Sequence, residues 1–116
     1  MNRFKRVLEF SGFPIEKAQK QLLQIESELQ KDDTAYVENH CDAIVEYHKK
    51  NNAFYKGFIG EKTIKNWQDI PIMTKADLQK PIQDRLSDTY TLKNVFVNKT
   101  SGSSGHPFSF AKDKYA

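Results

Sequence analysis

Apolar residues at Ile15, Ala18, Leu22, Ile25 and Leu29 recur in alternating steps of three and four. A strand would scatter them over both faces, whereas an α-helix gathers them into one stripe. The segment beginning at Pro14 is therefore read as a helix. Pro14 sits at its first position, where the missing N–H is harmless, and Leu23 widens the stripe. The repeat is too short for a coiled coil, so the stripe is expected to pack against other helices of the same chain.

Those partners are easy to find. Arg3 to Phe10 has a short amphipathic pattern that stops at Ser11-Gly12. Another helix is expected to start at Asp32 or Asp33, either of which can cap it, and to run to about Asn51. Its apolar face is Tyr36, Val37, Cys41, Ile44, Val45 and Tyr47. The pair Asn51-Asn52 breaks it, and residues 53–60 read as an aromatic-rich turn or short helix ending at glycine.

The character changes after Gly60. Pro71 holds Ile70 extended, and Thr74-Lys75-Ala76-Asp77 fits a helix cap, so a helix is expected near Lys75, bounded early by Pro81. Leu92 to Lys99 reads as a strand with Val95 and Val97 on one face, residues 100–105 as a turn, and residues 106–111 as a returning strand. The expectation is a mainly helical chain of three to four helices with a C-terminal β-hairpin. Residues 1–60 form the helical region and residues 61–116 a second region. The helices are expected to pack on one another. A lone hairpin is marginal in water, which would leave Phe96, Phe108 and Phe110 partly exposed. Asp113 is a good helix cap close to the end, which suggests the N-terminal piece of a longer protein.

Composition narrows the function classes. At 116 residues there is room for one domain, and fourteen aromatics can seed a core although 28% of the chain is charged. No stretch approaches the roughly 20 apolar residues of a membrane span, and the basic start lacks the apolar run of a signal peptide. Cys41 is the only cysteine, which excludes an intrachain disulfide and a cysteine-rich zinc site. A cytoplasmic protein is expected. The net charge of +3 comes from interleaved signs rather than a basic face, which argues against nucleic acid as a partner. His40 and His48 would lie about 12 Å apart along one helix, too far to share a metal. Glu38 and Asp42 read as solvent-facing acids, Cys41 as a small core residue, and Trp67, Phe54, Tyr55 and Phe58 as a core cluster.

The segment with chemistry in it is Thr100-Ser101-Gly102-Ser103-Ser104-Gly105-His106-Pro107. Two glycines let the backbone turn tightly and aim several N–H groups at one point, and the hydroxyls of Thr100, Ser101, Ser103 and Ser104 surround it. Such a nest suits phosphate oxygens. It lacks the lysine, spacing and following helix of a Walker loop. By composition alone a Ser/Gly hairpin turn is usually just a turn.

The octapeptide resembles the phosphate-binding motif of the adenylate-forming superfamily, [ST]-S-G-[ST]-[ST]-G-x-P, at every fixed position. Trp67-Gln68-Asp69-Ile70-Pro71-Ile72-Met73-Thr74-Lys75-Ala76-Asp77-Leu78 resembles the W-x-x-(I/L)-P-x-x-(T/S)-K-x-(D/E)-L stretch of phenylacetate–CoA ligase-like proteins, and Asn52-Ala53-Phe54-Tyr55 their N-x-F-Y. Order and spacing agree over roughly residues 36 to 116. The resemblance implies an α/β parent enzyme that joins ATP and a carboxylic acid into an acyl-adenylate and passes the acyl group to coenzyme A, with Mg²⁺. It implies ATP phosphate binding by Thr100, Ser101, Gly102, Ser103, Ser104, Gly105 and His106, the last where lysine is common. It also places the adenine, ribose, metal and acid-substrate motifs downstream, so this segment alone would be inactive. Lys75 is assigned no chemistry. Alternatives are an acyl-protein synthetase or a capsule-biosynthesis relative of the same superfamily, and, in a different class, a non-catalytic helical interaction module.

Overall fold

Two short polar residues punctuate the helical half. Asp32 closes one helix by donating its N–H to the Glu28 carbonyl (3.2 Å), and its carboxylate accepts the Ala35 N–H (3.0 Å) to open the next. Asn52 repeats the device: its N–H goes to the His48 carbonyl (3.0 Å) and its side-chain oxygen accepts the Tyr55 N–H (3.0 Å). Each uses an extended residue to satisfy orphan groups on both sides of the break. In the computed structural model, which describes residues 2–102 and 105–116, these breaks separate helices α1 (Arg3–Phe10), α2 (Ile15–Lys31), α3 (Asp33–Asn51) and α4 (Ala53–Ile59). Asn2 caps α1 through the Phe4 N–H (3.0 Å). Pro14 stands just before α2 rather than inside it, its carbonyl accepting the Ala18 N–H (3.0 Å).

The second half is mostly irregular. Single 3₁₀ turns occur at Trp67–Asp69, Asp77–Gln79 and Ile82–Asp84. The expected helix near Lys75 is reduced to the second of these. Thr74 and Asp77 do bond as a cap, but Lys80 is extended before Pro81, so this helix ends after one turn. Ile70 is extended before Pro71 as expected. Strands β1 (Phe96–Lys99) and β2 (Ser109–Lys112) pair antiparallel, Phe96 opposite Lys112 and Lys99 opposite Ser109. Both are shorter than the sequence suggested. Thr91 and Asn94 form a turn of their own, Thr91 N–H to Asn94 Oδ1 at 2.7 Å, which consumes the first half of the expected β1.

The chain divides into two compact units, Met1–Ala43 with Lys114–Ala116, and Ile44–Asp113. The division falls inside α3, not at the change of sequence character after Gly60. In the first unit no residue of α1 or α2 is buried; Leu22 is 56% and Leu23 65% exposed while Ile15, Ala18 and Ile25 are half-buried and Lys5 of α1 bonds Gln19 of α2, so the expected packing of the α2 stripe is only partial. Val37 and Ile44 on α3 are exposed as well, and Cys41 is only half-buried.

The described core belongs to the second unit. Val45 and Ile59 are its buried apolar residues, with Asn52 and Ser87 buried beside them. Trp67, expected in the core, is 55% exposed, while Phe54, Tyr55 and Phe58 are half-buried. No helix among the described residues is long and apolar enough to cross a membrane.

Candidate functional site

The hairpin loop between β1 and β2 is the segment that the sequence marks for phosphate. Its base is closed by one more rung than the strands themselves contain. Thr100 N–H donates to the Phe108 carbonyl (3.0 Å), and Phe108 N–H donates to the Thr100 hydroxyl oxygen (3.1 Å). Thr100 thus supports the loop with its oxygen and keeps its hydroxyl hydrogen for another acceptor. Above it, Gly105 N–H bonds the Gly102 carbonyl at 2.7 Å, so this amide is spent within the loop rather than offered outward. Ser101, Gly105 and His106 are exposed, and Gly102 is half-buried. Ser103 and Ser104 lie outside the described residues.

The two glycines differ in what they need. Gly102 has φ +67°, and a Cβ there would meet Pro107 Cδ at 2.8 Å and Cβ at 3.0 Å. Any side chain at this position would be both strained and in collision with a ring that cannot swing away. Gly105 has φ +85° but open space around it. The motif's glycine and its proline, five positions apart, therefore pack against each other.

The second motif segment supports turns rather than chemistry. Asp69 accepts the N–H groups of Lys65 and Asn66, both at 2.9 Å, which holds its carboxyl below the usual range. Asp77 accepts the Thr74 N–H and hydroxyl, both at 2.7 Å, with the same effect. His48 is lowered by burial; its Nδ1 lies 3.4 Å from both Asn52 Nδ2 and Ser87 Oγ.

Sequence reasoning missed the residue that ties the hairpin to the helices. Arg85 donates its Nε–H to the Lys80 carbonyl (2.9 Å) and an Nη2–H to the Ser109 carbonyl (2.6 Å) at the start of β2. Its own carbonyl accepts the Asn52 side-chain amide (3.0 Å). A continuous path therefore runs from the α3–α4 break, through Arg85, to the strand that leaves the loop. Every acceptor of Arg85 is a backbone carbonyl, so no residue type in the sequence signals the pairing.

Among the described residues no group of three or more His, Cys, Asp and Glu could hold a metal ion. The loop offers hydroxyls and amides, a donor set for anionic oxygens rather than for a cation. No protein-family model matches this chain, and neither the curated proteins nor the solved structures yield a match.

Proposed function

We propose that this chain supplies the ATP-phosphate-binding hairpin of an adenylate-forming acid–CoA ligase of the phenylacetate–CoA ligase-like kind. The observation that carries the reading is the approach of Gly102 to Pro107, which gives the motif's fixed glycine and fixed proline a shared physical reason. A turn chosen only for reversal would need neither the pair nor their spacing.

In the proposed reaction a carboxylate attacks the α-phosphorus of ATP in line, pyrophosphate leaves, and the acyl-adenylate then yields its acyl group to the thiol of coenzyme A. Charge gathers on the departing β- and γ-phosphates. The Thr100 and Ser101 hydroxyls and the loop amides not spent internally would hold those oxygens, stabilising the leaving group and fixing the line of attack. Mg²⁺, when bound with ATP, supplies further charge neutralisation.

ATP–pyrophosphate exchange by the full-length protein tests this. Gly102→Val should abolish exchange while leaving the circular dichroism of the helices intact. Gly105→Ala, which meets strain but no collision, should lose less. Exchange near the wild-type rate in Gly102→Val would remove the loop from the mechanism.

A further inference from the structure

Beside the loop, within the same unit, lies a cleft of about 190 Å³ whose lining includes Lys80, Pro81, Arg85, Lys99, Pro107 and Phe108. No aspartate or glutamate is among its lining residues, so three cationic residues border the cleft without a counter-charge in its wall. Among the described residues, none of the three forms an ion pair with a carboxylate. Gathering like charges on one wall raises the local potential and favours an anion of more than one charge.

The arrangement is partly pre-formed. Arg85 is half-buried and fixed by its bonds to the Lys80 and Ser109 carbonyls. A guanidinium carries five N–H donors, so three remain, held in a set plane. Lys80 Nζ rests 5.7 Å from the centroid of the Phe54 ring, a cation–π contact that leaves its three N–H donors unspent. Lys99 ends β1 immediately before the loop. A planar fork and two point charges match a phosphoryl group, which offers several acceptor oxygens and more than one negative charge. A single carboxylate would leave two of the cations uncompensated.

We infer that this cleft is a phosphoryl-binding subsite, in which Arg85, Lys80 and Lys99 supply the positive charge. The phosphoryl group is either the far end of the nucleotide held by the loop, in which case the inference rests on the proposed function, or part of a separate phosphorylated ligand, in which case it stands without it.

Titration calorimetry of the full-length protein with inorganic pyrophosphate at low ionic strength decides between these. Arg85 is left intact because it clamps β2. The Lys80→Ala/Lys99→Ala double variant should bind pyrophosphate about tenfold more weakly or worse, and Lys80→Arg/Lys99→Arg should restore binding. If Gly102→Val weakens binding as well, the phosphoryl group is the nucleotide's own. If Gly102→Val binds normally and only the lysine variant loses affinity, the cleft serves a separate phosphorylated ligand and the proposed function loses its site. Wild-type affinity in Lys80→Ala/Lys99→Ala overturns the inference, and with loss in Gly102→Val it leaves the proposed function standing. No pyrophosphate binding by the wild-type protein overturns both.

Discussion

The two units of this chain invert the usual association between regular structure and burial. The first, Met1–Ala43 with Lys114–Ala116, holds α1, α2 and the start of α3, yet, among the described residues, none of the buried ones. The second, Ile44–Asp113, is mainly turns and short elements, yet it holds Val45, Asn52, Ile59 and Ser87. The difference lies in which groups make the long-range hydrogen bonds. In α1 and α2 the backbone bonds run four residues back along the chain, and the bonds that leave the helices, Lys5 Nζ to Gln19 Oε1 and Lys17 Nζ to Tyr115 Oη, join exposed side chains. In the second unit Asn52 bonds Arg85, Arg85 bonds Ser109, and the Asp88 N–H bonds the Asn51 carbonyl at 2.7 Å. An amphipathic stripe is a capacity for packing, and most helical stability in proteins comes only when that capacity is used.

Hydrogen exchange should show the largest contrast. Amides of α1 and α2 should exchange orders of magnitude faster than those of Tyr55, Asp88 and Thr100, whose partners are held by long-range bonds or by the hairpin. Slow exchange through Ile15–Lys31 would mean that the α2 stripe is covered, and the contrast would collapse.

Asn52 offers the sharpest single substitution. Asn52→Ala removes the cap of α4 and the donor to Arg85, and should destabilise the second unit by about 2–3 kcal/mol in urea denaturation. Asn52→Asp keeps an oxygen for the Tyr55 N–H but has none of the amide hydrogens that Arg85 accepts, so it should fall between the two. An Asn52→Ala variant as stable as wild type would show that the break is held by packing alone.

A pH titration probes the second unit, which holds His48, Asp69 and Asp77, through a smaller effect. Burial lowers the pKa of His48 from 6.5, so the unfolded chain takes up the proton more readily than the folded one. Stability is then complete above the unfolded value and declines as pH falls below about 6.5 toward the lowered folded value. Asp69 and Asp77 are lowered from 3.8, so their contributions are lost only as pH falls below that, in a distinct acid window. His48→Gln should flatten the near-neutral slope and leave the acid one. An unchanged slope would exclude His48 as its source.

The smallest effect belongs to the first unit. Leu22→Ala, at a position 56% exposed, should change stability by no more than about 0.5 kcal/mol. A loss of several times that would reveal a covered stripe, in agreement with slow exchange in α2.

Helix boundaries were readable in the sequence because caps are local. Asp32 reaches Ala35 and Asn52 reaches Tyr55, three residues on, so the identity and spacing of the residues suffice. The same locality misled near Lys75, where Thr74 and Asp77 do bond but Pro81 permits only one turn. It also left the Thr91–Asn94 turn unrecognised inside an apolar run that read as strand. The need for glycine at position 102 could be read from the motif, while its reason, the Pro107 ring 2.8 Å from where a Cβ would sit, could not.

The sequence by itself determined where the four α-helices start and stop and where the hairpin turns, since each depends on residues within a few positions of one another. Tertiary structure alone decided which apolar faces are covered, that Arg85 joins the α3–α4 break to β2, and that Lys80 and Lys99 share a cleft. Burial depends on which surfaces meet across the fold, and a backbone carbonyl such as that of Ser109 is the same acceptor at every residue, so neither leaves a mark in the order of side chains.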